Sequence, residues 1–250
     1  MGWWYYFPVA FALKTSLPFL LLSIAALGYA FWQLLRKRDK RFLWLLVPIG
    51  IYAVLSMTSH INIGVRHFLP VYPFLFVLSA VLIERLLRVR YARHLTLALV
   101  VLAFGWMSAE ALRTYPDYIP YMNQLASGHP HWWYLSDSNV EWGDDARALA
   151  EYLHAHGETN VRGAVSGGWE TLAQYGIAYH EIFPRPGVQI PETRYVAIGT
   201  GFLNGSTISV PADENGHLIS EQERVNYLAA YRTLQPEAVI GNSIYVYRVK

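Results

Sequence analysis

Four long runs of apolar positions dominate the first half of the chain, and none is broken in the way a soluble domain breaks its hydrophobic stretches. Residues 17–35 hold no charge at all. At a rise of about 1.5 Å per residue such a run is long enough to cross a hydrocarbon core. Further runs over 42–58, 70–87 and 95–112 predict three more spans, with Pro48 and Gly50 tolerated inside the second as membrane helices allow. Ahead of the first span, Trp3, Trp4, Tyr5, Tyr6 and Phe7 form an aromatic cluster. Such rings suit the headgroup level, so the plain expectation for them is an interfacial anchor.

The polar positions between the spans fix an expected topology. Arg36, Lys37, Arg38, Lys40 and Arg41 follow the first span, and Arg85, Arg88, Arg90 and Arg93 follow the third. Both basic loops fall on one side of a four-span arrangement, which positive-inside logic makes cytoplasmic. The N-terminal segment, the 58–69 loop and everything from Arg113 are then extracytoplasmic. A signal peptide is not expected, because the basic residues follow the first run instead of preceding it. Glu84 and Arg88, one helical turn apart, predict an interfacial ion pair.

From Tyr115 onward the pattern changes to short alternations of apolar and polar positions. Helices are expected at 144–154, 170–175 and 221–234, and strands at 161–165, 195–198, 238–240 and 244–247. Asp144 or Asp145 is placed to cap the first of these helices. The expected architecture is a transmembrane region over 1–113 followed by a small extracytoplasmic α/β domain over 114–250.

Composition sharpens this division. The 250 residues are 54% hydrophobic and 15% charged, with a mean hydropathy of +0.20, too apolar for an ordinary soluble domain. A formal net charge of +2 is too small to indicate nucleic acid. There is no cysteine, which excludes disulfides and thiolate metal sites.

Two clusters carry candidate chemistry. The first is the 58–69 loop, with His60, Arg66 and His67 between two spans, and Lys14 near the first. Charge at the mouth of membrane helices is costly unless it meets a partner, an anion or water. A guanidinium there suits a phosphate or pyrophosphate, which it can hold bidentately. Its plainer role is an interface anchor or a salt bridge. The second cluster is Asp137-Ser138-Asn139-Val140-Glu141-Trp142-Gly143-Asp144-Asp145. Asp137, Asn139, Glu141, Trp142 and Asp144 could hold sugar hydroxyls, a divalent cation through oxygen, or act as a base. A polar turn leading into a helix accounts for part of the same pattern. His129 and His131 lack helical ligand spacing, which argues against zinc, and the run 130–134 suits a membrane surface. Ser166-Gly167-Gly168 after a strand is expected to be a turn.

Residues 2–8 with Lys14-Thr15, and the run 62–73, look like the later part of bacterial membrane glycosyltransferases of the GT-C type, most like those related to protein O-mannosyltransferases. The 137–145 segment resembles the Asp-Ser-Asn-x-Asp-Trp-Gly-Gln-Asp stretch of the same proteins, with Glu at 141 and Asp at 144 as departures. The likeness covers most of 2–180 and fades beyond. It implies a bacterial inner-membrane enzyme that moves a sugar from a polyprenyl-phosphate donor to a glycan or protein acceptor on the extracytoplasmic face. Arg66 is the residue it carries over, as a phosphate contact. In that family the catalytic carboxylate lies in the first extracytoplasmic loop, upstream of anything matched here. The expectation is therefore the C-terminal portion of a longer enzyme, its catalytic half absent. A non-catalytic, membrane-anchored glycan- or protein-binding or assembly subunit is the alternative. A transporter is disfavoured, since no span is charged near its centre.

Overall fold

The computed structural model describes residues 3–59, 64–183, 189, 191–208 and 220–249. The chain divides into two units, residues 1–118 with 122–127, and residues 119–121 with 128–250.

The first unit is helical. A short helix α1 (Tyr6–Lys14) leads into α2 (Leu17–Lys37), with Pro18 in the first turn, where its missing N–H costs nothing. Arg38 in the left-handed conformation ends α2, and a 3-10 turn at Lys40–Phe42 opens α3 (Leu43–Thr58). A second 3-10 stretch, Val65–Val71, precedes α4 (Tyr72–Leu87), and α5 (Arg93–Thr114) closes the set. Four stretches, 17–37, 40–58, 65–87 and 93–114, are long and apolar enough to cross a membrane. These four candidate spans make the chain an integral membrane protein. The predicted Glu84–Arg88 pair is present.

Packing distinguishes the four spans. Ser23, Ala26 and Ala30 on α2 and Leu75, Leu78 and Ser79 on α4 are all buried, and the two helices pack together. Small residues at such a seam let backbones approach closely. On α5 only Thr96 is buried, while Leu95, Leu99, Val101, Leu102 and Phe104 face outward. That outward face suits lipid, which solvates apolar side chains where water would not. Of the N-terminal aromatics, Trp3 and Trp4 are exposed as an anchor requires, but Phe7 is buried against Phe68.

The second unit is α/β. After the short helix α6 (His131–Tyr134) come α7 (Ala146–Ala155), β1 (Asn160–Ala164), α8 (Gly168–Gln174), β2 (Ala178–Glu181), β3 (Tyr195–Gly199) and α9 (Thr200–Asn204). Then follow α10 (Glu221–Asn226), α11 (Ala229–Thr233), β4 (Ala238–Ile240) and β5 (Ile244–Arg248). The sheet order is β2-β1-β3-β5-β4, with β1 parallel to both β2 and β3 and β5 antiparallel to β3 and β4. Every residue of β3 is buried. Its alternate side chains feed two cores: Tyr195 and Ala197 pack with Leu149, Leu153 and Leu172 from α7 and α8, and Val196 and Ile198 pack with Leu203 and Leu228. Period-two alternation on a strand covered on both faces requires this run of apolar residues.

Three expectations change. The helix expected over 221–234 is two short helices, the first held by a capping box in which Ser220 and Glu223 satisfy each other's backbone. Strand β2 and helix α9 were not expected. Trp132 is half-buried against the core of this unit beside Arg232, which leaves Trp133 alone of the pair exposed.

Candidate functional site

In the helical unit, Arg66 and His67 sit on the Val65–Val71 turn with both side chains exposed. Two residues further along the same turn decide that orientation. Phe68 is buried, stacked with Phe7 and edge-on to Phe11, and Val71 is buried beside Leu75. With the aromatic side of a three-residue-per-turn helix fixed inward, Arg66 and His67 are held outward. Arg66 Nε donates toward His67 Nε2 at 3.4 Å. Lys14 ends α1, the helix that supplies Phe7 and Phe11 to the same cluster. Burial lowers its ammonium pKa to about 7. His60 lies outside the described residues.

Asn123, which the sequence reading did not single out, fixes the end of α1. Its side-chain amide donates to the carbonyls of Ala12 and Thr15, each at 2.6 Å, and its backbone N–H donates to Leu13. The Thr15 hydroxyl meets the Tyr72 hydroxyl at 2.6 Å. Three orphan carbonyls at a helix C-terminus are thereby satisfied by one residue more than a hundred positions away.

In the α/β unit, the 137–145 segment forms a strap across the carboxyl ends of β1 and β3. The chain leaves β1 for β2 on one side, yet β3 adjoins β1 on the other, so the order reverses between β1 and β3. In open α/β sheets the crevice beyond the strand ends at such a reversal is the usual ligand position. Here Glu141 fills it. One carboxylate oxygen accepts the Ser166 N–H, just after β1, at 2.7 Å, and the other accepts the Gly201 N–H, just after β3, at 3.3 Å. A Cβ at Gly199 would overlap this carboxyl, so only glycine ends β3 with Glu141 in place. Gly143, at φ +80°, brings the strap so close that a Cβ there would lie 2.8 Å from the Ser166 carbonyl.

Asp145 anchors the far end of the strap. It occupies the N-cap position of α7 but makes no side-chain cap; its buried carboxylate instead accepts the Ser243 hydroxyl in the turn between β4 and β5. The capping expected of Asp144 or Asp145 is thus replaced: Asp144 accepts the Trp142 N–H at 3.3 Å, and Asp145 ties the strap to the sheet. A Cβ at Gly241 would overlap the Asp145 carboxyl, the same complementarity as at Gly199.

Each remaining residue of the segment has a place. Asn139 is buried and donates to the Ser136 carbonyl at 3.2 Å. Asp137 is half-buried with φ +55°, a left-handed conformation that Asp tolerates better than most residues. Trp142 and Asp144 are exposed. The outward face of the strap is therefore Trp142 and Asp144, and its inward face is Asn139, Glu141 and Asp145.

Burial raises the Glu141 carboxyl to about 7, against which the bonds from Ser166 and Gly201 work only partly. A carboxyl poised there fits an acid or a base. Access argues otherwise: Glu141 is 5% exposed and both its oxygens are occupied by backbone amides. A substrate would have to break a backbone bond to reach it, so the geometry is that of a clamp. Among the described residues no three His, Asp or Glu side chains converge as metal ligands. Replacing Gly199 by Ala is expected to cost about 2–3 kcal/mol, since the new methyl group expels the clamp. Urea unfolding of the full chain in detergent, with faster amide exchange at 199–204, is the check.

Compared with known proteins, the chain matches no family model, no curated protein and no solved structure.

Proposed function

We propose that this chain is part of a membrane glycosyltransferase that takes a sugar from a polyprenyl-phosphate donor and passes it to a glycan or protein acceptor on the extracytoplasmic face. The observation that carries this reading is Arg66, an exposed guanidinium held beside His67 on a short turn at the mouth of a candidate span. A guanidinium holds a phosphate bidentately, and headgroup depth is where a lipid-linked phosphate lies.

Sidedness supports the same reading. The Arg66 turn precedes α4 and the basic residues 85–93 lie at and beyond its far end, about 24 Å away for 16 residues. Positive-inside logic puts the basic end in the cytoplasm and Arg66 outside. Trp142 and Asp144, facing outward, are the residues of the strap suited to meeting an acceptor. The likeness of segments 2–8, 62–73 and 137–145 to glycosyltransferases of the GT-C type points the same way.

A second reading, a membrane-anchored binding or assembly subunit without catalysis of its own, draws on Glu141. The crevice where an α/β sheet ordinarily takes a ligand is filled by the chain itself.

Transfer of radiolabelled sugar from polyprenyl-phosphate donors in proteoliposomes distinguishes the two. The chain is compared alone and joined to whatever coding sequence lies upstream of Met1. Transfer in either form, lost with Arg66→Ala, is the expected result. No transfer in any form, with glycan or protein still captured by the full chain, favours the second reading.

A further inference from the structure

The basic end of the helical unit holds a cavity of about 910 Å³ between α2, the Lys40–Phe42 turn, α3 and α4. That size falls within the range of small-ligand sites. It lies at the opposite end of α4 from the Arg66 turn, so it is independent of the donor site proposed above. Tyr29, Trp32 and Phe42 supply its aromatic wall, with Tyr29 edge-on to Phe42.

The charges around this cavity do not cancel. Asp39 is engaged by Arg41, whose Nε and terminal nitrogen donate at 3.0 and 2.8 Å. Glu84 is engaged by Arg88, which is not among the lining residues. Lys37 and Arg85 also line the cavity, and among the described residues neither has a carboxylate partner. The Lys37 ammonium rests 5.4 Å from the Trp32 ring centroid, which orients it without neutralising it. Among the described residues, two cations without a carboxylate partner therefore share one cavity at the end of the spans. The flanks are apolar: Trp32, which lines the cavity, and Trp44, next to the lining residue Leu45 in sequence, are 48% and 83% exposed.

We propose that this cavity binds the phosphate of an anionic lipid headgroup, with Lys37 and Arg85 as its cationic contacts. A basic pocket between helices at the membrane surface is suited to such a headgroup. The exposed apolar flanks beside it give acyl chains somewhere to lie, which a soluble phosphate would not use.

The test titrates the full chain, in a zwitterionic detergent, with dihexanoyl phosphatidylglycerol, dihexanoyl phosphatidylcholine and inorganic phosphate, read by tryptophan fluorescence. Saturable binding of phosphatidylglycerol is expected, weakened about tenfold or more by Lys37→Gln with Arg85→Gln. The pair Arg36→Gln with Arg90→Gln removes the same charge away from the cavity lining and is expected to change binding less than twofold. All four residues are exposed, so both double variants should unfold at the parent temperature. Equal weakening by both pairs, or equal binding of phosphatidylcholine, would overturn the proposal. Inorganic phosphate competing at concentrations comparable to the lipid would overturn its lipid origin and leave a soluble-phosphate site.

Discussion

Arg66→Ala is expected to weaken binding of a polyprenyl-phosphate sugar by about 100-fold, with the fold intact. Charge-assisted hydrogen bonds contribute about 1.5–3 kcal/mol each, and losing a bidentate pair at the low end of that range amounts to roughly two powers of ten in affinity. Arg66 is exposed on its turn, whereas Phe68 and Val71 do the packing, so truncating it should shift unfolding by no more than about 0.5 kcal/mol. Arg66→Lys separates charge from geometry. An ammonium keeps the attraction but loses the planar fork, so affinity should recover about tenfold and become more sensitive to salt. Equilibrium binding of donor to the full chain in nanodiscs checks both values.

Glu141→Ala should destabilise the α/β unit by about 3 kcal/mol, because the buried N–H groups of Ser166 and Gly201 both lose their acceptor. Glu141→Gln isolates the charge. In the folded chain this carboxyl is raised to about 7 from an ordinary value of 4.5. Between those values the folded state holds a proton that the unfolded state has released. Stability from Glu141 is therefore fully present below about 4.5 and is lost as pH rises through about 7, a total of roughly 3 kcal/mol. Gln cannot ionise, so the slope between pH 5 and 7 should flatten. Gln also has one acceptor oxygen for two donors, so it should be the less stable at pH 5 and close the gap by pH 8. Urea midpoints of the full chain in detergent at the two pH values test this, and parallel profiles for parent and variant would contradict the clamp.

The membrane spans were legible because a continuous apolar run is its own evidence, whatever lies elsewhere in the chain. The α/β class was legible from alternation, and β3 and β5 from their β-branched and aromatic runs. Strand β2, with sequence Ala-Tyr-His-Glu, was missed because it is short and at a sheet edge, where one face need not be apolar. Helix α9 was missed because Thr-Gly-Phe-Leu-Asn carries too little periodicity to exceed a loop.

The strap was legible only in composition. Four carboxylates in nine positions read either as a ligand-facing cluster or as a polar turn with a helix cap, yet Glu141 and Asp145 are buried. What buries them is a set of glycines at 199, 201 and 241, far along the chain, and no local pattern links those positions to the strap. Asn123 escaped notice for the same reason, since its partners lie in residues 12–15. Arg66 was legible as a charge between two spans, and its outward orientation came only with Phe68 placed in the aromatic cluster.

The most direct measurement is photo-cross-linking of the full chain in nanodiscs with a diazirine-bearing polyprenyl-phosphate sugar, followed by peptide mapping. Label is expected within residues 64–72, displaced by unlabelled donor and lost with Arg66→Ala. Label confined to 29–45 and 81–88, or label at 64–72 that survives Arg66→Ala, would contradict it.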